Sequence, residues 1–263
     1  MAKYTFKYGN GTVDFEYPEE DVIKVIEPAP LEKSEKTEEQ IIREAIENPI
    51  GSPKLEEIVK PGQSVCIVVP DVTRLWARPS VIVHILVEKL EKIGVKDEDI
   101  LFISGVGTHR LQEEEDFENL IGKDFCARFR HQNHYCDSDD FVTVGTTSRG
   151  NEIQVNKFAM ECDHRILVGG IVFHFLAGFG GGRKMVLPGI SSRTTINTDH
   201  KYYFKPGPAG SGAIDAVACG ITDGNPIHED MLEAAKMAKI SFIVNSVVDR
   251  TNTIAKCFAG DLE

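Results

Sequence analysis

No apolar stretch in the 263-residue sequence approaches the roughly 18 residues that a membrane-spanning helix requires. The opening Met1-Ala2-Lys3-Tyr4-Thr5 alternates polar and aromatic side chains without an apolar core, so no signal peptide is expected. Six cysteines (Cys66, Cys126, Cys136, Cys162, Cys219, Cys257) include no C-x-x-C pair, which argues against a structural zinc site. Without an export signal they read as reduced thiols, and the expected location is cytoplasmic. Basic charge is short as well: 29 Lys and Arg face 41 Asp and Glu, a net charge of −12. Such a chain lacks the basic face that a phosphate backbone needs, so neither nucleic acid nor membrane is expected as a partner. A small anion remains possible, because a local cluster of donors overrides the net sign.

Hydrophobic residues at 41% and charged residues at 27% are globular values, and the length suits one large or two modest domains. Residues 4–17 alternate around Gly9-Asn10-Gly11, which predicts a β-hairpin. Residues 27–36 read as an exposed connector. Thr37 with Gln40 forms a capping-box pattern opening a helix that Pro49 closes. Strands are then expected at 65–69, 100–104, 141–144 and 165–168, and helices at 80–93 (ended by Gly94), 111–121 and 156–161. Asn225-Pro226 should open a helix through Ala238. Residues 242–248 and 253–258 read as a closing strand pair. This alternation predicts an α/β fold, a mainly parallel twisted sheet flanked by helices in a Rossmann-like arrangement.

Ligands of open α/β sheets bind beyond the carboxyl ends of the strands. Three predicted strands run into unusual polar residues there: Asp71 to Arg74, Gly107-Thr108-His109-Arg110, and Gly169-Gly170 leading to His174. Asp71 and Arg74 form either a neutralised pair that orients a carboxylate or an ordinary surface ion pair. His109 suits acid–base work or is a loop histidine, and His174, between Phe173 and Phe175, is functional or a core residue. Gly178, Gly180, Gly181 and Gly182, followed by Arg183-Lys184, read equally as a phosphate cradle or a flexible turn, and Met185 breaks the P-loop pattern. His200 is a good nickel or copper ligand but one histidine makes no site. His164 and His228 read as surface residues.

These segments resemble the lactate racemase family, enzymes built around a nickel-pincer nucleotide. The resemblance rests on Asp71-x-Thr73-Arg74, Gly107-Thr108-His109-Arg110, His174-x-x-Ala177-Gly178-x-x-Gly181-Gly182-Arg183-Lys184, Leu187-Pro188-Gly189, His200 and Gly224-Asn225-Pro226. It implies the family's N-terminal catalytic domain, with residues 1–240 as an α/β catalytic and cofactor-binding domain and 241–263 as the first strands of a second lobe. It further implies that Lys184 tethers the nucleotide covalently, that His200 binds nickel, and that Gly178, Gly180, Gly181, Gly182 and Arg183 lie beside the cofactor. His109 and His174 would be the paired acid–base residues, and Arg74 with Asp71 would bind the substrate, a small 2-hydroxy acid. The implied activity is racemisation or epimerisation by reversible hydride transfer; the alternative is a nucleotide- or anion-binding module on the same scaffold. After Arg74 the chain reads Leu75-Trp76-Ala77-Arg78, where the family is associated with a proline. Family members are longer, with a lobe that closes over the substrate, so this chain alone is expected to be nearly inactive and to carry an unmodified Lys184.

Overall fold

Strands that are apolar on both faces set the architecture. The computed structural model describes residues 1–9, 11–26, 31, 34–208 and 212–263. The chain divides into two compact units, Met1–Leu31 and Glu32–Glu263. The first unit is the expected hairpin: β1 (Ala2–Tyr8) pairs antiparallel with β2 (Gly11–Tyr17), and Tyr8 stands opposite Gly11. Asn10 and most of the connector expected at 27–36 lie outside the described residues.

In the second unit α1 (Glu38–Glu47) starts at a true capping box. The Thr37 hydroxyl accepts from the Gln40 N–H at 3.2 Å, and the Gln40 side chain accepts from the Thr37 N–H at 2.9 Å. After the short α2 (Leu55–Ile58) come β3 (Val65–Pro70), α3 (Pro79–Ile93) and β4 (Ile100–Gly105). Gly94 ends α3 in the left-handed region, its N–H bonded to the carbonyls of Leu90 and Glu91. Next are α4 (Glu114–Ile121), α5 (Lys123–Arg128), β5 (Arg130–Asn133), β6 (Phe141–Thr146), β7 (Glu152–Asn156), α6 (Lys157–Glu161) and β8 (His164–Gly170). Two-residue strands β9 (Phe173–His174) and β10 (Gly178–Phe179) precede α7 (Arg193–Lys201), α8 (Pro226–Met237), β11 (Phe242–Val248) and β12 (Ile254–Gly260).

The central sheet has the order β12-β11-β8-β3-β4-β5, parallel throughout except for β12. Alternate strand residues enter two cores. Ile67, Phe102, Ile166 and Phe242 pack with Ile42, Leu55 and Leu86 of the helices on one face. Cys66, Leu101 and Leu167 pack with Val186, Ile196, Ile227 and Met231 on the other. Each large apolar side chain so buried contributes about 1.5–3 kcal/mol.

Two expectations are corrected. The strand at 141–144 is part of β6, which pairs antiparallel with β7 in its own two-stranded sheet, and the parallel edge strand is β5 instead. The helix expected from residue 111 begins at Glu114, because the Gln112 backbone bonds the Asn133 side chain at 2.7 and 2.9 Å. In the segment from residue 241, β11 pairs with β8, Phe242 opposite Ile166 and Ser246 opposite Gly170, and its Phe242 and Val244 are buried in the core. Among the described residues no helix is long and apolar enough to cross a membrane.

Candidate active site

Because β3, β4 and β8 are parallel, their carboxyl ends open on one edge, and the loops that follow line a single cleft. Asp71, directly after β3, is 1% exposed and caps the 3-10 turn at 72–77. Its Oδ1 accepts from the N–H of Thr73 at 2.8 Å and from the Thr73 hydroxyl. Its Oδ2 accepts from the Arg74 guanidinium and lies 3.1 Å from Nδ1 of His109. The turn is braced from α4's approach loop, where the Gln112 side chain accepts from the Val72 N–H at 2.8 Å.

A carboxylate acceptor at Nδ1 keeps the ring proton of neutral His109 on that nitrogen, so Nε2 carries the lone pair. This is the arrangement by which a buried aspartate fixes the tautomer of a basic histidine. His109 is half exposed at the cleft, where Nε2 is able to meet a substrate.

His174 is held the other way round. Its Nδ1 accepts from the N–H groups of Leu176 at 3.1 Å and Ala177 at 3.2 Å, and its Nε2 lies 3.0 Å from Nζ of Lys184. Burial and the nearby Lys184 and Arg74 push its pKa down to about 4. Lys184 sits on a 3-10 turn, 9% exposed, and burial together with Arg74 and Arg183 pushes its amine down to about 7.

His200 reaches the same cleft from α7, which Ser192 caps through the Thr195 N–H at 3.2 Å. Its Nδ1 donates to the Ile196 carbonyl at 2.9 Å, leaving Nε2 as an acceptor suited to a metal. Beside it Asp199 is fully buried, and its Oδ2 lies 3.1 Å from Nδ1 of the same His200, within ion-pair distance. Burial raises its carboxyl to about 6.

Thus Asp71, Arg74, His109, His174, Lys184 and His200, six of the residues singled out from sequence, share one cleft, joined by Gly180 and Gly181. Gly178, Gly182 and Arg183 do not line it. Gly178 has φ +74 and is packed so tightly on the Ile221 backbone that a Cβ would fall 2.3 Å from its oxygen. Arg183 is buried and turned away, donating to the carbonyl oxygens of Ala177 at 2.6 Å and Phe179 at 3.2 Å. The N–H of Gly180 bonds the Val172 carbonyl at 2.8 Å and that of Gly182 bonds Asn245 at 3.0 Å, so neither amide is offered to an anion. His228 is half buried in α8 rather than on the surface, with Nδ1 lacking a partner.

Sequence reasoning passed over Trp76, Asn245 and Asp199. Trp76 lies in the cleft against Gly170, and Asn245 on β11 pins the glycine loop from the neighbouring strand. The only signal for Asn245 is a polar residue inside an apolar strand run.

The chain is 32% identical over 266 aligned positions to the lactate racemase of Thermoanaerobacterium thermosaccharolyticum and 34% identical over 266 to that of Lactiplantibacillus plantarum. All of this chain is covered in both matches, but it spans only about 60% of the length of either relative. Among solved structures it superposes on the T. thermosaccharolyticum lactate racemase apoprotein with a TM-score of 0.84 at 30% identity, covering 100% of this chain and 60% of that one. A protein of Thermotoga maritima gives a TM-score of 0.67 at 25% identity, covering 89% of this chain and 56% of that one. The lactate racemase N-terminal domain profile matches residues 8–211, and the chain therefore belongs to the lactate racemase family.

Proposed function

We propose that this chain is the catalytic and cofactor-binding part of a racemase or epimerase of small 2-hydroxy acids of the lactate type, working by reversible hydride transfer with a nickel-pincer nucleotide. The observation that carries this reading is the convergence of three imidazoles, a buried amine and a guanidinium on one cleft. The residues fit the cofactor on the chemistry of their donors. Burial favours the uncharged, nucleophilic form of the Lys184 amine, and His200 keeps an imidazole nitrogen unengaged that would suit nickel. Lys184 would hold the group covalently and His200 would complete the nickel coordination. When bound, the group supplies a reversible hydride acceptor.

Everything else falls to the protein. Removing the α-proton beside a carboxylate would create a high-energy carbanion, whereas losing a hydride with the hydroxyl proton leaves a flat 2-oxo acid. Arg74, steadied by Asp71, would grip the substrate carboxylate. His109 would take the hydroxyl proton at Nε2, the resulting imidazolium being stabilised by the Asp71 carboxylate. His174 would exchange a proton at its Nε2 with the opposite face. A second lobe, in the part of the relatives' length that this chain does not span, would add substrate contacts and close the cleft. The anion-binding alternative has less support, because the amides of Gly180 and Gly182 are engaged inside the protein.

The test is co-expression with cofactor-making enzymes followed by intact-mass and nickel analysis. The reading expects an adduct mapped to Lys184 and nickel that is lost in His200→Ala; a bare lysine and no nickel would overturn it. Single enantiomers of several 2-hydroxy acids, offered to the loaded full-length protein, would then name the substrate.

A further inference from the structure

We propose that His174 is the positioning residue that holds Lys184 as an uncharged nucleophile, ready to be acylated by an activated carboxylate at neutral pH. The inference rests on the reading above only in taking Lys184 as the point of attachment.

The argument is one of donors and acceptors. Two backbone N–H groups, of Leu176 and Ala177, point at Nδ1 of His174, so that nitrogen carries a lone pair. A neutral imidazole has one ring proton, which must then sit on Nε2. Nε2 is 3.0 Å from Nζ of Lys184. An N–H facing the amine needs an acceptor, and only the free base has a lone pair to give; an ammonium there would set donor against donor. The reverse arrangement, an ammonium donating to Nε2, would move the ring proton onto Nδ1 against two amide donors. The surroundings agree. Lys184 is buried, the cations Arg74 and Arg183 lie near it, and the carboxylate of Asp199 is the opposing charge. His200 completes the charged and titratable groups around the imidazole.

In the acylation the amine lone pair attacks the carbonyl carbon and a C–N bond forms. The bond to the leaving group breaks, that group departs with the electron pair, and the nitrogen loses a proton to solvent. The product is an amide-type nitrogen whose lone pair is delocalised and no longer accepts. The Nε2–H of His174 is thereby released from Lys184, so one ring serves attachment first and the substrate afterwards.

The experiment treats protein bearing an unmodified Lys184 with limiting N-hydroxysuccinimidyl acetate from about pH 6 to about pH 10.5, a range that takes in both its expected midpoint and that of an ordinary lysine. Acetylation is read peptide by peptide in the mass spectrometer. The exposed Lys123 is the internal reference, and a thermal melt of each variant reports folding. The proposal expects Lys184 to label with a midpoint well below that of Lys123. His174→Leu, which keeps an apolar filler but removes the donor, should move the midpoint up by one unit or more, a tenfold or greater loss of labelling near neutrality. His174→Gln, which retains an N–H donor, should keep most of the wild-type profile. An unchanged midpoint in a folded His174→Leu, or an ordinary midpoint in the wild type, overturns the proposal. Failure to load the cofactor on co-expression, with the labelling profile intact, would instead count against the function proposed above.

Discussion

Nδ1 of His109 lies 3.1 Å from Oδ2 of Asp71, a carboxylate that is almost wholly shielded from water. His174, across the same cleft, accepts at Nδ1 instead. The two histidines are therefore fixed in opposite tautomers, His109 with a basic Nε2 and His174 with a protonated one. Asp71→Asn reverses the first of these, because an amide N–H facing Nδ1 drives the ring proton to Nε2. In the loaded enzyme kcat should fall by roughly a hundred- to ten-thousand-fold with little change in the fold. A kcat within a factor of a few of wild type would remove His109 from the role of base.

Arg74 gives one guanidinium nitrogen to Asp71 and lines the cleft with the rest of its planar fork. Arg74→Lys keeps the charge but loses the fork, so a carboxylate bound through two parallel N–H groups would be held by one. Steady-state kinetics should show KM for the hydroxy acid rising about tenfold, equivalent to about 1.4 kcal/mol, with a smaller effect on kcat. Equal losses in kcat and kcat/KM would mean that Arg74 acts on the reacting centre instead of on substrate binding.

The strands of the sheet interior could be read from sequence because burial on both faces leaves an unbroken apolar run, as in Val65 to Val69. The edge strand β5, Arg130-His131-Gln132-Asn133, could not: it carries no apolar pattern and is a strand because β4 offers it a ladder. The strand β7 is different: Glu152-Ile153-Gln154-Val155-Asn156 does alternate and buries Ile153 and Val155, a five-residue signal that sequence reasoning passed over beside β6. The helix α7, Arg193 to Lys201, is poor in apolar residues and contains three threonines, so it takes shape from the Ser192 cap and the burial of Thr195 and Ile196. At the site, parallel strand ends brought the charged residues together as their order suggested. Arg183 shows the limit of that logic. Two adjacent basic residues look alike in sequence, yet the turn at 182–185 sends Lys184 into the cleft and Arg183 onto the carbonyl oxygens of Ala177 and Phe179.

The glycine loop is shaped by Asn245. Gly181 has φ +74, and a Cβ there would fall 2.7 Å from Asn245 Oδ1 and 3.1 Å from the Gly170 carbonyl oxygen. Gly181→Ala should destabilise the protein by about 1–3 kcal/mol through strain and crowding. Asn245→Leu, which strips the Gly182 N–H of its acceptor, should cost about as much. Urea denaturation of each variant measures the losses. The double variant should lose less than the sum, since the first clash is with the side chain that the second removes. Full additivity would show that Asn245 and Gly181 are not coupled.

The buried amine of Lys184 should make the unmodified protein less stable than it could be. Its pKa falls from 10.5 to about 7 on folding, chiefly through desolvation. Between those values the unfolded chain binds a proton that the folded chain does not, so the contribution of Lys184 to stability rises with pH across that window. Below about pH 7 both states are protonated and the penalty is present in full; above about pH 10.5 neither is, and it vanishes. Lys184→Met fills the same space without a charge to desolvate. The variant should exceed wild type by roughly 2–4 kcal/mol near pH 7, with the gap closing as the pH approaches 10. Denaturation curves of both proteins at about pH 7 and about pH 9.5 give the comparison, in a range where Asp199, raised to about 6, is ionised at both points. A gap that is absent near neutrality, or that widens with pH, would mean that the ammonium is accommodated in the folded cleft, and the amine could not then be the ready nucleophile that attachment requires.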